Sequence, residues 1–469
     1  MIRKGDILEE ILVEDFAAES KCVAKIDGQV IFIEQTAPGD VVDIRIIRKK
    51  KNYLEARPVY YHSFSSKRQT PFCVHYGTCG GCKWQHIQYP DQLEFKQQQI
   101  LDQLERIGHQ KEINYEPIFG ATHHVAYRNK LEFTFTDQRW LTHDEINSGE
   151  TFERNGLGFH KPGQFDKVLD IEKCYLQPDM SNKIRLKVKE IALKENIPFY
   201  NIRERRGFLR NLIIRNSNSG EWMVILQIGY ENGVWIEKIL NELMNTFPEI
   251  TSLHYLINSK GNESYNDLEA VHFAGSKYMI QKMEDLEFRI SPKSFFQTNS
   301  DQAFELYNFV REFAEIEKTD IVYDLYTGTG TIANFIARQV KKVVGLEYVS
   351  EAIEDAKINS EINQITNTMF LEGDIAKIFN EAFIDEHGNP DVIITDPPRA
   401  GMHKDVIAAI LKTSARRIVY VSCNPATQAR DIDLLNDRYR LVKSQAIDMF
   451  PHTHHIENIV VLDRKSNES

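Results

Sequence analysis

Cysteine is scarce in this chain, with six among 469 residues, too few and too unevenly placed for a disulfide scaffold. Long apolar runs are missing as well: nothing approaches the ~18 residues of a membrane span. The start, MIRKGDILEE, lacks the apolar core of a signal peptide. These absences predict a cytoplasmic protein with no membrane partner. Positive charge is also short, with 57 Lys and Arg against 68 Asp and Glu and a net charge of -11. Contact with a polyanion would therefore depend on local clusters. Two such clusters stand out, Arg45-Ile-Ile-Arg-Lys-Lys-Lys51 and the set Arg203, Arg205, Arg206 and Arg210. There is no internal repeat, and the one low-complexity stretch is the polar tail Arg464 to Ser469. At roughly 150 residues per domain the length suggests three domains, and a monomer is the default expectation.

Residues 1–61 alternate short β-rich runs with turn signals: Ile7 to Val13, Cys22 to Ile26, Gln29 to Ile33, Val41 to Ile47 and Tyr53 to Val59. Asp27-Gly28 is a hairpin signal, and Pro38-Gly39-Asp40 is a second turn. Five such strands predict a small β-barrel of the oligonucleotide-binding kind. The run from Gly39 to Ala56 resembles the RNA-binding TRAM domain.

Residues 62–285 hold four of the six cysteines. Cys73, Cys79 and Cys82 fall within ten residues, with Gly77, Gly80 and Gly81 between them. Cys174 is the natural fourth ligand. Four thiolates suit a tetrahedral zinc or an iron–sulfur cluster, and spacing alone leaves both open. Tyr127 to Phe135 and Arg206 to Arg215 read as strands with cations among aromatics, a pattern suited to single-stranded RNA.

Residues 286–469 alternate strands and helices, which predicts a parallel, doubly wound α/β sheet. Asp324-Leu-Tyr-Thr-Gly-Thr-Gly330 closes the first strand and opens a helix near Thr331. Glu347 ends the second strand, where a carboxylate can accept both hydroxyls of a ribose, and Asp374 follows the third. With Tyr439 to Ala446 and Glu457 to Asp463 closing the sheet antiparallel, the pattern favours S-adenosylmethionine over NAD. The fourth strand runs into Asp396-Pro-Pro-Arg399, where Arg399 replaces the aromatic ring expected for amine methylation. The strand Arg417 to Val421 leads into Cys423, ahead of Pro425 and a helix from Thr427 to Leu435. A lone cysteine there would ordinarily be a small buried hydrophobe. Its company suggests more.

Carbon 5 of uracil cannot attack a sulfonium methyl group unaided. A thiolate adding at carbon 6 makes carbon 5 nucleophilic, and a base must later remove the carbon 5 proton to expel the thiol. Cys423 supplies the thiol, and Glu457, at the start of the last strand, is the candidate base. His452, His454 and His455 precede it, with no further ligand motif to make them a metal site.

Ser294-Phe-Phe-Gln-Thr-Asn299, Asp324 to Gly330, Asp396-Pro-Pro-Arg-x-Gly401, Ser422-Cys-Asn-Pro425 and His455-x-Glu-Asn458 together resemble the RNA 5-methyluridine methyltransferases. The resemblance spans nearly the whole chain. It implies a TRAM barrel, a central α+β iron–sulfur domain and a Rossmann-like S-adenosylmethionine-dependent domain. It further implies Cys423 as nucleophile and Glu457 as proton acceptor. Gln297, Tyr326, Thr331, Glu347, Asp374 and Asp396 would line the S-adenosylmethionine site, with Thr331 where an asparagine is common and Thr327 where a cysteine is frequent. The TRAM-like start and four cysteines are most similar to the ribosomal branch, in which Cys73, Cys79, Cys82 and Cys174 would hold a [4Fe-4S] cluster rather than zinc. A uridine of 23S ribosomal RNA is then the expected substrate. The alternatives are a transfer-RNA enzyme, a branch expected to lack both features, and a non-catalytic RNA-binding or ribosome-assembly factor.

Overall fold

The computed structural model describes residues 2–466, so the last three residues of the polar tail, 467–469, lie outside the described residues. The first sheet takes up residues 7–63. It has six strands rather than five, the extra one being the two-residue Asp15–Phe16. Val41–Lys49 alternates buried Val42, Ile44 and Ile46 with outward neighbours, the period of a strand with one covered face. Asp27 and Gly28 both adopt left-handed backbone, as a two-residue hairpin turn requires.

A seven-stranded sheet follows, running from Gln164–Asp170 at one edge to Ala270–Gly275 at the other. Leu209–Asn216 pairs antiparallel with Trp222–Ile228. Both strands are almost wholly buried, because the helices Met180–Lys194 and Gly233–Thr246 share their core. The expectation that the cations of this stretch face RNA fails for two of them. Arg210 and Arg215 are each 2% exposed. Arg210 donates to the carbonyls of Asn258, Lys260 and Asn262, and Arg215 to those of Ser291, Pro292 and Ser294. These irregular segments have carbonyls that no ladder satisfies, so buried guanidinium groups supply the donors.

The largest sheet has eight strands in the order Thr368–Glu372, Lys342–Glu347, Ile321–Leu325, Val392–Thr395, Arg417–Ser422, Glu457–Arg464, Tyr439–Ile447 and Tyr115–Phe119. The first five run parallel, and the pair after them is antiparallel. Every residue of Val392–Thr395 is buried, since helices cover both faces. The eighth strand comes from far upstream, where Tyr115 pairs with Ser444. The helix Tyr89–Arg106 comes with it, placing Ile100 and Leu104 in one core with Tyr420 and Val460. Among the described residues no helix is long and apolar enough to cross a membrane.

Candidate active site

Parallel strands put their carboxyl ends along one edge, and there the expected residues gather. Arg417–Ser422 ends one residue before Cys423, and Asn424 caps the next helix, Pro425–Leu435, by accepting from Ala426 N–H at 3.2 Å. Pro425 costs that helix nothing, because a first-turn N–H has no intrahelical partner. The Asn424 side chain and the Thr427 hydroxyl both donate to the Arg399 carbonyl, at 2.9 and 3.2 Å. The Asp396-Pro-Pro-Arg399 loop is thereby tied to the turn that carries Cys423. Burial, with Glu457 and Asp396 nearby, pushes the Cys423 thiol up to about 11, and the facing Arg399 guanidinium pulls it back. Sequence reasoning gave Arg399 only a negative role, although its place in the motif was visible.

Glu457 opens the strand Glu457–Arg464, whose register against Arg417–Ser422 pairs Asn458 with Ser422. Cys423 and Glu457 therefore flank one cross-strand pair. Glu457 is 4% exposed. Burial and the neighbouring Asp396 hold its carboxyl well above the usual range, and Arg399 opposes them. Asp396 itself is pushed up to about 7, first by burial and then by Asp324.

The cofactor side is built around the Asp324 to Gly330 loop. Gly330 sits at φ 71°, and a Cβ there would come within 2.8 Å of Ala356 and 2.9 Å of Phe370, so only glycine fits. Glu347 accepts from the N–H groups of Gly328, Tyr348 and Val349 at 3.1, 2.8 and 3.0 Å. Its carboxylate therefore stands at the mouth of the glycine loop. Thr331 begins the helix Thr331–Ala337, and its hydroxyl lies 3.2 Å from that of Thr329. Tyr326 takes left-handed backbone at φ 64°. Gln297 is nearly buried, its carbonyl held by Asn129 from the middle segment at 2.8 Å. Asp374 caps the short helix Ile375–Ile378 and pairs with Lys377 at 3.1 Å, which holds its carboxyl below the usual range.

Cys73, Cys79, Cys82 and Cys174 line one cavity of about 200 Å³, together with Arg128 and Thr453. Cys22 is elsewhere, its thiol donating to the Thr36 carbonyl at 3.0 Å. Burial pushes Cys82 up to about 12 and Cys174 to about 11, with the neighbouring thiols adding to the rise. Among the described residues no three His, Cys, Asp or Glu side chains close on an ion-sized point.

The comparisons with known proteins agree with this geometry. Residues 273–465 match the family described as tRNA (Uracil-5-)-methyltransferase, and residues 8–59 match the TRAM domain. An uncharacterized RNA methyltransferase of Bacteroides thetaiotaomicron is 53% identical, over 95% of this chain and 99% of its own. Another, from Porphyromonas gingivalis, is 49% identical over 97% and 99%. Among solved structures, the tRNA (uracil-54, C5)-methyltransferase of Pyrococcus abyssi in complex with S-adenosyl-L-homocysteine is 29% identical. It superposes with a TM-score of 0.76, covering 97% of this chain and 99% of its own.

Proposed function

The chain belongs to the S-adenosylmethionine-dependent RNA uracil-5-methyltransferases, and from that premise we propose that Cys423 and Glu457 carry out the two covalent halves of the reaction. The Cys423 thiolate adds to carbon 6 of a uracil drawn out of the RNA fold. Carbon 5 takes the methyl group from S-adenosylmethionine, releasing S-adenosylhomocysteine. Glu457 then removes the carbon 5 proton, the ring double bond re-forms, and the thiolate leaves. Arg399 offsets the negative charge at the thiolate. Gln297, Tyr326, Thr331, Glu347, Asp374 and Asp396 hold the methyl donor. The pairing of Ser422 with Asn458, which brings the Cys423 and Glu457 positions to the same end of neighbouring strands, is the observation that supports this assignment.

The division of labour follows the sequence: residues 1–61 grip RNA through the exposed Arg45, Arg48, Lys49, Lys50 and Lys51, 62–285 orient it, and 286–469 methylate it. The four-cysteine cavity fits a [4Fe-4S] cluster better than zinc. A zinc ion asks four sulfurs to lie about 2.3 Å from one point, whereas a multi-iron cluster spreads its thiolates over several irons. Bound there, the cluster would cross-link the Cys73 to Cys82 loop to the Cys174 segment.

Ribosomal RNA of the large subunit is the proposed substrate, supported by the resemblance of the motif set and four cysteines to that branch. The Pyrococcus likeness favours transfer RNA as the second candidate. Labelled S-adenosylmethionine offered with protein-free 23S ribosomal RNA or unmodified transfer RNA, followed by nucleoside analysis, separates them. 5-Methyluridine in ribosomal RNA alone supports the first, and label in transfer RNA alone overturns it. Cys423→Ala should keep RNA binding and lose the methyl transfer its parent shows, a loss that a non-catalytic assembly factor, with no transfer to lose, would not show. Glu457→Gln should methylate once and remain attached to the RNA. Normal turnover by that variant would remove Glu457 from its role.

A further inference from the structure

The nine residues 448–456 deliver Glu457 to the site, yet most of what holds them comes from outside the catalytic half. The helix Tyr89–Arg106 turns Tyr89, Gln92 and Lys96 towards this loop, three positions spaced to share one helical face. The Tyr89 hydroxyl donates to Asp448 Oδ2 at 2.9 Å. Lys96 Nζ donates to Asp448 Oδ1 at 2.6 Å and to the Phe450 carbonyl at 3.1 Å. Both side chains of that ion pair are fully buried. Gln92 Oε1 accepts from His452 N–H at 2.9 Å, while its Nε2 lies 3.2 Å from His452 Nδ1 and also donates to the Trp84 carbonyl at 3.0 Å. From the other side, the N–H groups of Lys83 and Trp84 donate to the His452 carbonyl at 2.8 and 2.9 Å.

His452 is itself held at φ 64°, a conformation that a non-glycine residue keeps where its surroundings over-determine it. Neither Gln92 nor Lys96 belongs to the reacting set, so their polar groups are spent on placing backbone. Placement matters most at the last step. A base must come within hydrogen-bond reach of the proton it removes, and a displacement of about 1 Å costs on the order of 100-fold.

Resting on the assignment of Glu457 as the base, we propose that Gln92 and Lys96 are positioning residues for proton abstraction. They fix residues 448–456 so that the Glu457 carboxylate meets the carbon 5 proton of the methylated adduct. In that step the proton passes to the carboxylate and the carbon 5 electrons re-form the carbon 5–carbon 6 double bond. The carbon 6–sulfur bond breaks, and Cys423 keeps its electron pair.

Gln92→Leu removes the hold on His452. The double variant Lys96→Met, Asp448→Asn removes the ion pair without leaving a lone buried charge, so folding has a second route. Each full-length enzyme is given labelled S-adenosylmethionine and whichever of the two RNAs the parent methylates. Total label in RNA, the fraction of protein in a denaturant-stable RNA adduct, and affinity for S-adenosylmethionine are then measured. The expected result is release of methylated RNA slowed about 10- to 100-fold, adduct carrying label building up, and cofactor affinity within about twofold of the parent. Adduct and label falling in parallel would mean a merely structural role and overturn the proposal, as would parental release rates in both variants. Glu457→Gln run alongside separates the two levels of failure. If it traps adduct while the positioning variants do not, this inference falls and the base stands. If it traps none, both fall.

Discussion

Asp324 is a carboxyl group with almost no solvent and half its hydrogen bonds. It is 1% exposed, Oδ2 accepts from the Thr327 hydroxyl at 2.5 Å, and Oδ1 has no partner among the described residues. Burial pushes its pKa from 3.8 to about 7, with Thr327 and the Ala333 N–H pulling the other way and Glu347 adding to the rise. The folded protein therefore keeps this proton over a range in which the unfolded chain has lost it. Stability from this group falls as pH rises from about 3.8 towards 7 and is level above that. At about 1.4 kcal/mol per pH unit, the ionised carboxylate costs the cofactor-free protein up to about 4 kcal/mol at pH 8. Asp324→Asn cannot ionise, and its side-chain carbonyl still accepts from Thr327. The variant should match its parent near pH 4 and gain on it steadily to pH 7. A plateau should follow, several degrees above the parent at about 2–4 °C per kcal/mol for a unit of this size. Thermal midpoints of both proteins without cofactor, taken every half pH unit from 4.5 to 8, give the difference curve. A flat difference, or a variant less stable at pH 8, would refute the argument that burial governs this group.

Three further outcomes follow from the same geometry. With the Cys423 thiol at about 11, adduct formation should speed up about tenfold per pH unit between pH 6.5 and 9. Arg399→Gln should lower it at every pH in that range, and rates indifferent to pH would show that thiol ionisation is not limiting. Gly330→Ala places a Cβ 2.8 Å from Ala356 in left-handed backbone, and should cost about 2–4 kcal/mol from strain and overpacking together. That loss is read in the urea midpoint. Cys82→Ser should lower the iron and acid-labile sulfide bound per chain while Cys22→Ser leaves both unchanged, and equal content in the two would discard the cluster.

Much of the catalytic sheet was legible because its strands are short apolar runs bounded by acids, glycines and prolines. Val392–Thr395 falls where the sequence puts it, and Tyr439–Ile447 and Glu457–Arg464 pair antiparallel because too few residues separate them for a crossover helix. The eighth strand was not legible. Tyr115–Phe119 carries no local mark of the sheet it joins, since an edge strand's partner is chosen by what packs around it. Arg210 and Arg215 misled for a related reason. A cation on a strand reads the same whether it faces solvent or a set of unpaired carbonyls.

The sequence by itself pointed to uracil methylation, because a thiol after a strand, a glutamate opening another and a glycine loop with its acid are local patterns with chemical meaning. It also grouped Cys73, Cys79 and Cys82 through their spacing and the glycines among them, while the tertiary structure brings Cys174 to the same cavity. Only the tertiary structure decided how Glu457 is held beside Cys423. Its register comes from strand pairing, and its loop is gripped by Gln92 and Lys96, more than 350 residues earlier. Contacts at that separation are fixed by how elements pack, which no local pattern encodes.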